Sequence, residues 1–163
     1  MIAGDVDYYG VDELLEEDER ITRGAVRSFV EREALPVIER CHANEEFPRA
    51  LIPRMAELGL FGANLKGYGC AGLSNVAYGL MMQELEAGDS GLRSMASVQG
   101  SLSMYAIWRW GSEEQKRRWL PEMAAGRAIG CFGLTEPDAG SDPGSMRTTA
   151  RRDGSDWILN GSK

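Results

Sequence analysis

The chain has 163 residues, 43% hydrophobic and 26% charged, an ordinary globular balance that excludes a disordered, collagen-like or disulfide-scaffold protein. No apolar run approaches the ~20 residues of a membrane span. The net charge of −7 sits in Met1–Arg20, which carries eight acids against one base, so the balanced remainder offers no basic stripe for a nucleic-acid backbone.

The acidic start reads as a solvated helix face. Behind it, Leu14, Leu15, Ile21, Ala25, Val26, Phe29 and Val30 recur at helical spacing. Pro36 is expected to interrupt that helix before Val37 and Ile38. A polar break, HANEEFP, precedes RALIPRMAELGLFG, a short helix with Leu51, Met55 and Leu58 on one side and Gly59 as its stop. GYGCAGLS is a glycine-rich loop. Ser74 then caps NVAYGLMMQELEAG, which is apolar on most faces and so expected to be buried. A second helical stretch, DSGLRSMASVQGSLSMYAIWRWG, is rich in small residues. Ser112 and Gln115 form a capping box for EEQKRRWLPEMAAG, closed by Gly126.

The character changes after Arg127. AIGCFGLT has strand-like content, EPDAGSDPGS is a loop, and MRTTARR and WILN are strands joined by the hairpin signal DGSD. Asn160-Gly161 follows the last strand directly, and Asn-Gly predicts a turn into a returning strand. The chain stops at Lys163, so the expectation is the front piece of a longer protein, cut inside a β-domain, with a frayed C-terminus of a complete small protein as the plainer alternative. The division expected is 1–126, helical, and 127–163, the start of a β-domain.

Cys41, Cys70 and Cys131 are odd in number and lack CxxC spacing, and the only histidine is His42, so neither a zinc site nor a Ser-His-Asp triad is indicated. His42 is read as structural or solvated. The N-terminus has no basic-then-apolar leader and no acid-poor transit character, which makes a cytoplasmic location the expectation. Gly67, Gly69 and Gly72 fit GxGxxG, with Asp89 about where a ribose-binding acid would stand. That fingerprint needs a strand before it and a βαβ unit around it. Helices flank it here, so it reads as a connection. Trp108, Trp110 and Trp119 read as core or interface rather than a stacking platform.

Two segments have chemistry worth weighing. Arg93 and Ser97, four apart, share a helix face. A guanidinium among Ser, Met and Ala with no acid at i+4 can grip a carboxylate through two hydrogen bonds, or it pairs with Glu86 or Asp89 in a plain salt bridge. In CFGLTEPDAGSD, a strand running into a glycine-bearing loop can turn backbone N–H groups to one point, with Thr135 and Ser141 hydroxyls beside them. Glu136, Asp138 and Asp142 would disfavour an anion there unless they point away. On composition alone a surface turn is the simpler reading.

The segments YGCAGLSNVAYGLMMQELEAGDSGLRSMASVQGSL, GSEEQKRRWLPEMAAG and GCFGLTEPDAGSDPGSM resemble the FAD-dependent acyl-CoA dehydrogenase family, and within it the glutaryl-CoA dehydrogenase branch. The resemblance covers the chain after its acidic start, and LTEPDAGSD is its most specific part. It implies a mainly α fold: an N-terminal all-helical domain followed by the first strands of a truncated middle β-domain. By motif matching, Phe132, Gly133, Leu134 and Thr135 stand where the family lines the flavin. Gly140 precedes Ser141, which stands where both FAD and the acyl-CoA are contacted. Arg93 and Ser94 match the residues that hold a glutaryl substrate, the Arg at its distal carboxylate, with Ser97 assisting and Glu86 orienting the Arg.

The reaction implied is α,β-dehydrogenation of a thioester. A carboxylate base takes the α-proton, hydride leaves to the flavin, and in the glutaryl branch CO2 is then lost to give crotonyl-CoA. The family's catalytic Glu matches nothing up to Lys163, so no catalytic base is assigned within the chain. The Trp-Ile segment that covers the flavin normally starts just after Lys163, and Trp157-Ile158 is not that segment. The partners implied are an acyl-CoA substrate, electron-transfer flavoprotein as electron acceptor, and further copies in a full-length homotetramer. Two other readings stay open: an acyl-CoA dehydrogenase without dicarboxylate specificity, and a non-catalytic helical module.

Overall fold

Helix starts where the acidic segment meets its first apolar positions. In the computed structural model, which describes residues 7–163, a 3-10 turn at Val11–Leu14 leads into α1 (Glu17–Phe29). Asp5 lies outside the described residues. The acidic face is not wholly solvated. Glu19 is buried, accepts the Glu16 N–H at 3.1 Å and takes the Ser74 hydroxyl at 2.6 Å. Asp12 is held by both Nη atoms of Arg23, at 2.5 and 2.8 Å.

Pro36 does not interrupt the helix. α1 runs through a π-turn (Val30–Ala34) into α2 (Leu35–Ala43) without a gap. The Leu35 N–H reaches back five residues to the Val30 carbonyl. Pro36 thereby falls in the first turn of α2, where no amide donor is required. After a 3-10 turn at Arg49–Leu51 comes α3 (Ile52–Glu57), ended by Gly59 at φ +70°. The segment from Leu60 to Leu73 is not a strand entering a nucleotide fold. Leu60, Phe61 and Leu65 point into the core, and Gly67, Gly69 and Gly72 turn the chain between helices.

Ser74 caps α4 (Asn75–Gly88) by accepting the Ala77 N–H at 3.0 Å. Only one face of α4 is buried, through Ala77, Met81, Glu84 and Leu85, while Val76 is half exposed. The expectation of burial on most faces fails because α4 packs mainly against α1 and α5. α5 (Ser90–Ser97), a π-turn (Val98–Met104) and α6 (Tyr105–Trp110) follow as one continuous helix. Gly100 in that π-turn lies against Gly62, where an added Cβ would come 2.9 Å from the Gly62 nitrogen. The capping box of α7 (Glu113–Ala124) is present, with Ser112 N–H to Gln115 Oε1 at 2.8 Å and Gln115 N–H to Ser112 Oγ at 3.2 Å.

The apolar core gathers Val26, Phe29, Met55, Phe61, Met81, Leu85, Leu92, Met104 and Leu120, so every helix from α1 to α7 except α2 and α6 gives it a fully buried side chain. One charged pair joins it. Arg27 of α1 holds the buried Glu84 of α4 through two bonds, at 2.9 and 3.0 Å.

The chain divides into two compact units, one reaching to Cys131 and one spanning Phe132–Lys163. The run from Ala128 to Thr135, expected as a strand, pairs with no strand among the described residues. The second unit holds an antiparallel hairpin, β1 (Thr149–Asp153) with β2 (Asp156–Asn160), in register Thr149↔Asn160 to Asp153↔Asp156. Its two-residue connection has Gly154 at φ +61°, as so tight a turn requires. Among the described residues, no helix is long and apolar enough to cross a membrane.

Candidate functional site

In the helical unit, the end of α4 faces the start of α5. Arg93 Nε donates to Glu86 Oε2 at 2.5 Å, and Ser90 Oγ donates to Glu86 Oε1 at 2.8 Å. These two donors hold the Glu86 carboxyl below the usual carboxylate range, the Arg93 bond contributing most. On the other edge of the guanidinium, Nη1 reaches Ser97 Oγ at 3.4 Å, while that hydroxyl donates to the Ser94 carbonyl at 3.1 Å. Nη2 has no partner among the described residues. Arg93, Ser97 and Glu86 are therefore brought together as the sequence reading expected. Ser94 takes part through its carbonyl. The salt bridge that competed with an anion-receptor reading is formed, to Glu86 and not to Asp89, and it occupies only the Nε edge. Asp89 instead caps α5 by accepting the Leu92 N–H at 2.7 Å.

The residue that sequence reasoning missed here is Gln99. It lies in the π-turn and is 1% exposed. Its Nε2 donates to the Met123 carbonyl at 3.0 Å and the Ala128 carbonyl at 2.8 Å, and its Oε1 accepts the Gly130 N–H at 2.8 Å. One side chain thus ties the Arg93 helix to the end of α7 and to the segment beyond it. The only signal in the sequence was a lone long amide in a stretch of small residues.

In the second unit, Phe132, Gly133, Leu134 and Thr135 lie outside any helix or strand, and their four N–H groups have no hydrogen-bond partner among the described residues. Phe132 is 48% exposed. A tight turn follows, closed by Glu136 N–H to Ala139 carbonyl at 3.0 Å and Ala139 N–H to Glu136 carbonyl at 3.2 Å. Gly140 and Ser141 stand exposed just after it. A Cβ added at Gly140 would meet nothing within 4 Å, and one at Gly133 only the Lys163 Cβ at 4.0 Å, so the unit's own packing does not demand glycine at either place.

The acids of this loop do not act together. Glu136 is buried and turned inward, where its carboxylate accepts the N–H of Arg147 at 2.6 Å and of Thr148 at 3.0 Å and meets Lys163 Nζ at 3.1 Å. The neighbouring Thr148 side chain, then the Arg147 amide, hold its pKa down at about 2. Asp138 is exposed and faces Arg147 at 3.4 Å, and Asp142 accepts the Gly144 N–H at 3.1 Å. The negative charge at the turn is thus largely spoken for.

Other singled-out residues sit apart from this chemistry. His42 is exposed near the end of α2, Cys41 is buried and Cys131 exposed. Trp108 is half-buried with its indole N–H on the Lys66 carbonyl at 3.0 Å, Trp110 is exposed, and Trp119 lies under Arg118.

Comparison with known proteins bears on both units. The family described as acyl-CoA dehydrogenase, N-terminal domain, matches residues 16–127, and that described as acyl-CoA dehydrogenase, middle domain, matches 131–163. A crystal structure of a glutaryl-CoA dehydrogenase from Mycobacterium smegmatis, in complex with FADH2, superposes with TM-score 0.90 and 58% identity over 94% of this chain and 40% of its own. The short-chain specific acyl-CoA dehydrogenase of Bos taurus is 38% identical over 91% of this chain and 36% of its own length. Its Homo sapiens counterpart is 39% identical over 84% and 34%. The chain therefore spans little more than a third of the curated relatives it matches. Both mammalian relatives are named as mitochondrial, which overturns the cytoplasmic expectation.

Proposed function

The chain belongs to the acyl-CoA dehydrogenase family, and from that premise we propose that it is the N-terminal portion of an FAD-dependent enzyme that oxidises and decarboxylates glutaryl-CoA to crotonyl-CoA. In this reading residues 1–126 are its helical domain and 127–163 the opening of its middle domain. The observation that carries the substrate assignment is Arg93. Glu86 grips its Nε edge and Ser97 touches Nη1, which leaves the Nη side of a pre-oriented guanidinium for the distal carboxylate of a dicarboxylic thioester. An uncharged acyl tail leaves that edge unpaired, which is the source of selectivity.

The residues of the second unit fit a flavin. Four consecutive N–H groups stand free from Phe132 to Thr135, Phe132 offers an apolar wall, and Gly133 and Gly140 leave room that no neighbouring side chain fills. These amides, with the Thr135 and Ser141 hydroxyls, would hold polar edges of the cofactor, and Ser141 would also meet the acyl-CoA. FAD, when bound, supplies the acceptor for the hydride removed from the substrate. The contribution of this chain is orientation: Arg93, Ser94 and Ser97 fix the substrate's far end, and the turn fixes the cofactor. The catalytic carboxylate base matches nothing in these 163 residues, so the chain by itself is expected to show no turnover. Electron-transfer flavoprotein as acceptor and a homotetrameric full-length enzyme complete the proposal.

The Glu86 contact also favours a rival, an acyl-CoA dehydrogenase in which Arg93 is only a structural cation. A chimera decides between them: residues 1–163 joined to the part of the M. smegmatis enzyme that follows the aligned segment. Arg93→Ala should lower kcat/KM for glutaryl-CoA by ~100-fold and change butyryl-CoA turnover by less than about threefold. Equal losses on both thioesters reject the carboxylate role. The non-catalytic module reading would be favoured if the parent chimera purified without bound flavin.

A further inference from the structure

The residue the sequence reading set against an anion site is the one around which the second unit is organised. Glu136 is a buried carboxylate in a unit whose other buried residue is Ala139. Its four-atom reach joins three stretches of chain: its own turn, the Arg147–Thr148 backbone and Lys163. The chain is brought there deliberately. Gly161 lies at φ +151° directly over Thr148, and a Cβ at that position would come 2.6 Å from the Thr148 Cα. Only glycine lets the chain bend so close, and the bend delivers Lys163 to Glu136.

Lys163 Nζ makes a second bond, donating to the Leu134 carbonyl at 3.0 Å, and it touches Met146 Sδ at 3.5 Å. The consequence follows from peptide geometry. The Leu134–Thr135 peptide is planar and trans, so its C=O and N–H point in opposite directions. With the Leu134 carbonyl drawn toward Lys163, the Thr135 N–H is aimed away from it, and that N–H has no partner among the described residues.

We propose that Glu136 is a positioning residue: through Lys163 it fixes the plane of the Leu134–Thr135 peptide, so that the Thr135 N–H stands ready for the cofactor before it arrives. This rests on the flavin reading of the Phe132–Thr135 segment. The carboxylate is suited to the task as no amide is. Its two oxygens accept two backbone N–H groups and a cation, whereas glutamine at the same place would set its own NH2 against one of those donors and remove the charge that holds Lys163. Aspartate is one carbon too short to span the same three partners.

The test uses the chimera described above as holoenzyme, with Glu136→Gln, Lys163→Met and Lys163→Arg, and FAD as the titrant of the stripped protein. Glu136→Gln and Lys163→Met should each weaken FAD binding about tenfold, with KM for glutaryl-CoA unchanged within twofold. Lys163→Arg, which keeps the charge and a donor for Leu134, should restore most of the loss. Lys163→Met removes a one-third-exposed side chain, so it reports even if Glu136→Gln does not fold. FAD affinity within twofold of the parent in folded Glu136→Gln and Lys163→Met overturns the proposal. So does a loss that Lys163→Arg fails to restore. Amide exchange at Arg147 and Thr148 in the 163-residue chain separates the two failures. If the parent chimera takes no FAD while exchange there still rises in Glu136→Gln, the flavin reading has failed and the positioning role falls with it, although the latch itself is real. If exchange does not rise, the latch has failed on its own.

Discussion

The two units hold themselves together by different physics. The unit up to Cys131 is built on apolar burial, with helix after helix giving a stripe to a common core. In the unit from Phe132 onward every residue of β1 and β2 is exposed, including Trp157 at 63% and Leu159 at 73%, and its buried centre is a carboxylate. The lesson is about where specificity resides. In the first unit, polar groups such as Gln99 and Glu84 refine a shape that the core already sets. In the second, the buried charged group Glu136 joins its own turn to the Arg147–Thr148 backbone and to Lys163.

The largest expected effect that sharpens this contrast is in the helical unit. Gln99→Leu keeps the volume but strips partners from the Met123 and Ala128 carbonyls and the Gly130 N–H, and should cost on the order of 2–4 kcal/mol in urea unfolding. A loss below about 0.5 kcal/mol would mean that the core alone holds the end of α7.

Acid should act first on the other unit. Glu136 has its folded pKa at about 2, below its ordinary 4.5. A depressed carboxyl stabilises the folded form above the unfolded value, and that contribution is lost as pH falls from 4.5 through about 2. Protection of the Arg147 and Thr148 amides, taken as their exchange relative to the intrinsic rate at the same pH, should therefore fall across that window while the Leu85 and Leu120 amides, bonded inside helices, stay protected. Simultaneous loss in both units would erase the distinction drawn between them.

The smallest effect is predicted for the hairpin surface. Leu159→Ser should change the stability of the 163-residue chain by no more than about 0.5 kcal/mol, because the side chain is already in water. A larger destabilisation, read by the same urea titration, would show that the exposed strand face is covered by something in solution.

Legibility in the sequence follows the same divide. The helices were readable because burial imposes a 3.6-residue period and because Ser74, Ser112, Gly59 and Gly126 mark ends by known backbone chemistry. The two π-turns were not readable, since a one-residue widening leaves no compositional trace, and one of them hid the accommodation of Pro36. The strand expected over AIGCFGLT failed for a physical reason: an apolar extended run becomes a strand only when a partner offers a ladder. At the candidate site, the grouping of Glu86, Arg93 and Ser97 was legible from helical spacing. The inward turn of Glu136 was not, because it depends on Lys163, 27 positions away in sequence, and on the bend at Gly161.

The most direct measurement is amide hydrogen exchange at Gly133, Leu134 and Thr135 in the chimeric enzyme, with and without FAD. Exchange should be fast in the stripped protein, where these groups lack partners, and should slow by about tenfold or more at Thr135 when the cofactor is bound. Identical exchange in the flavin-loaded and stripped forms would contradict it, since the free N–H row would then be facing something other than the flavin.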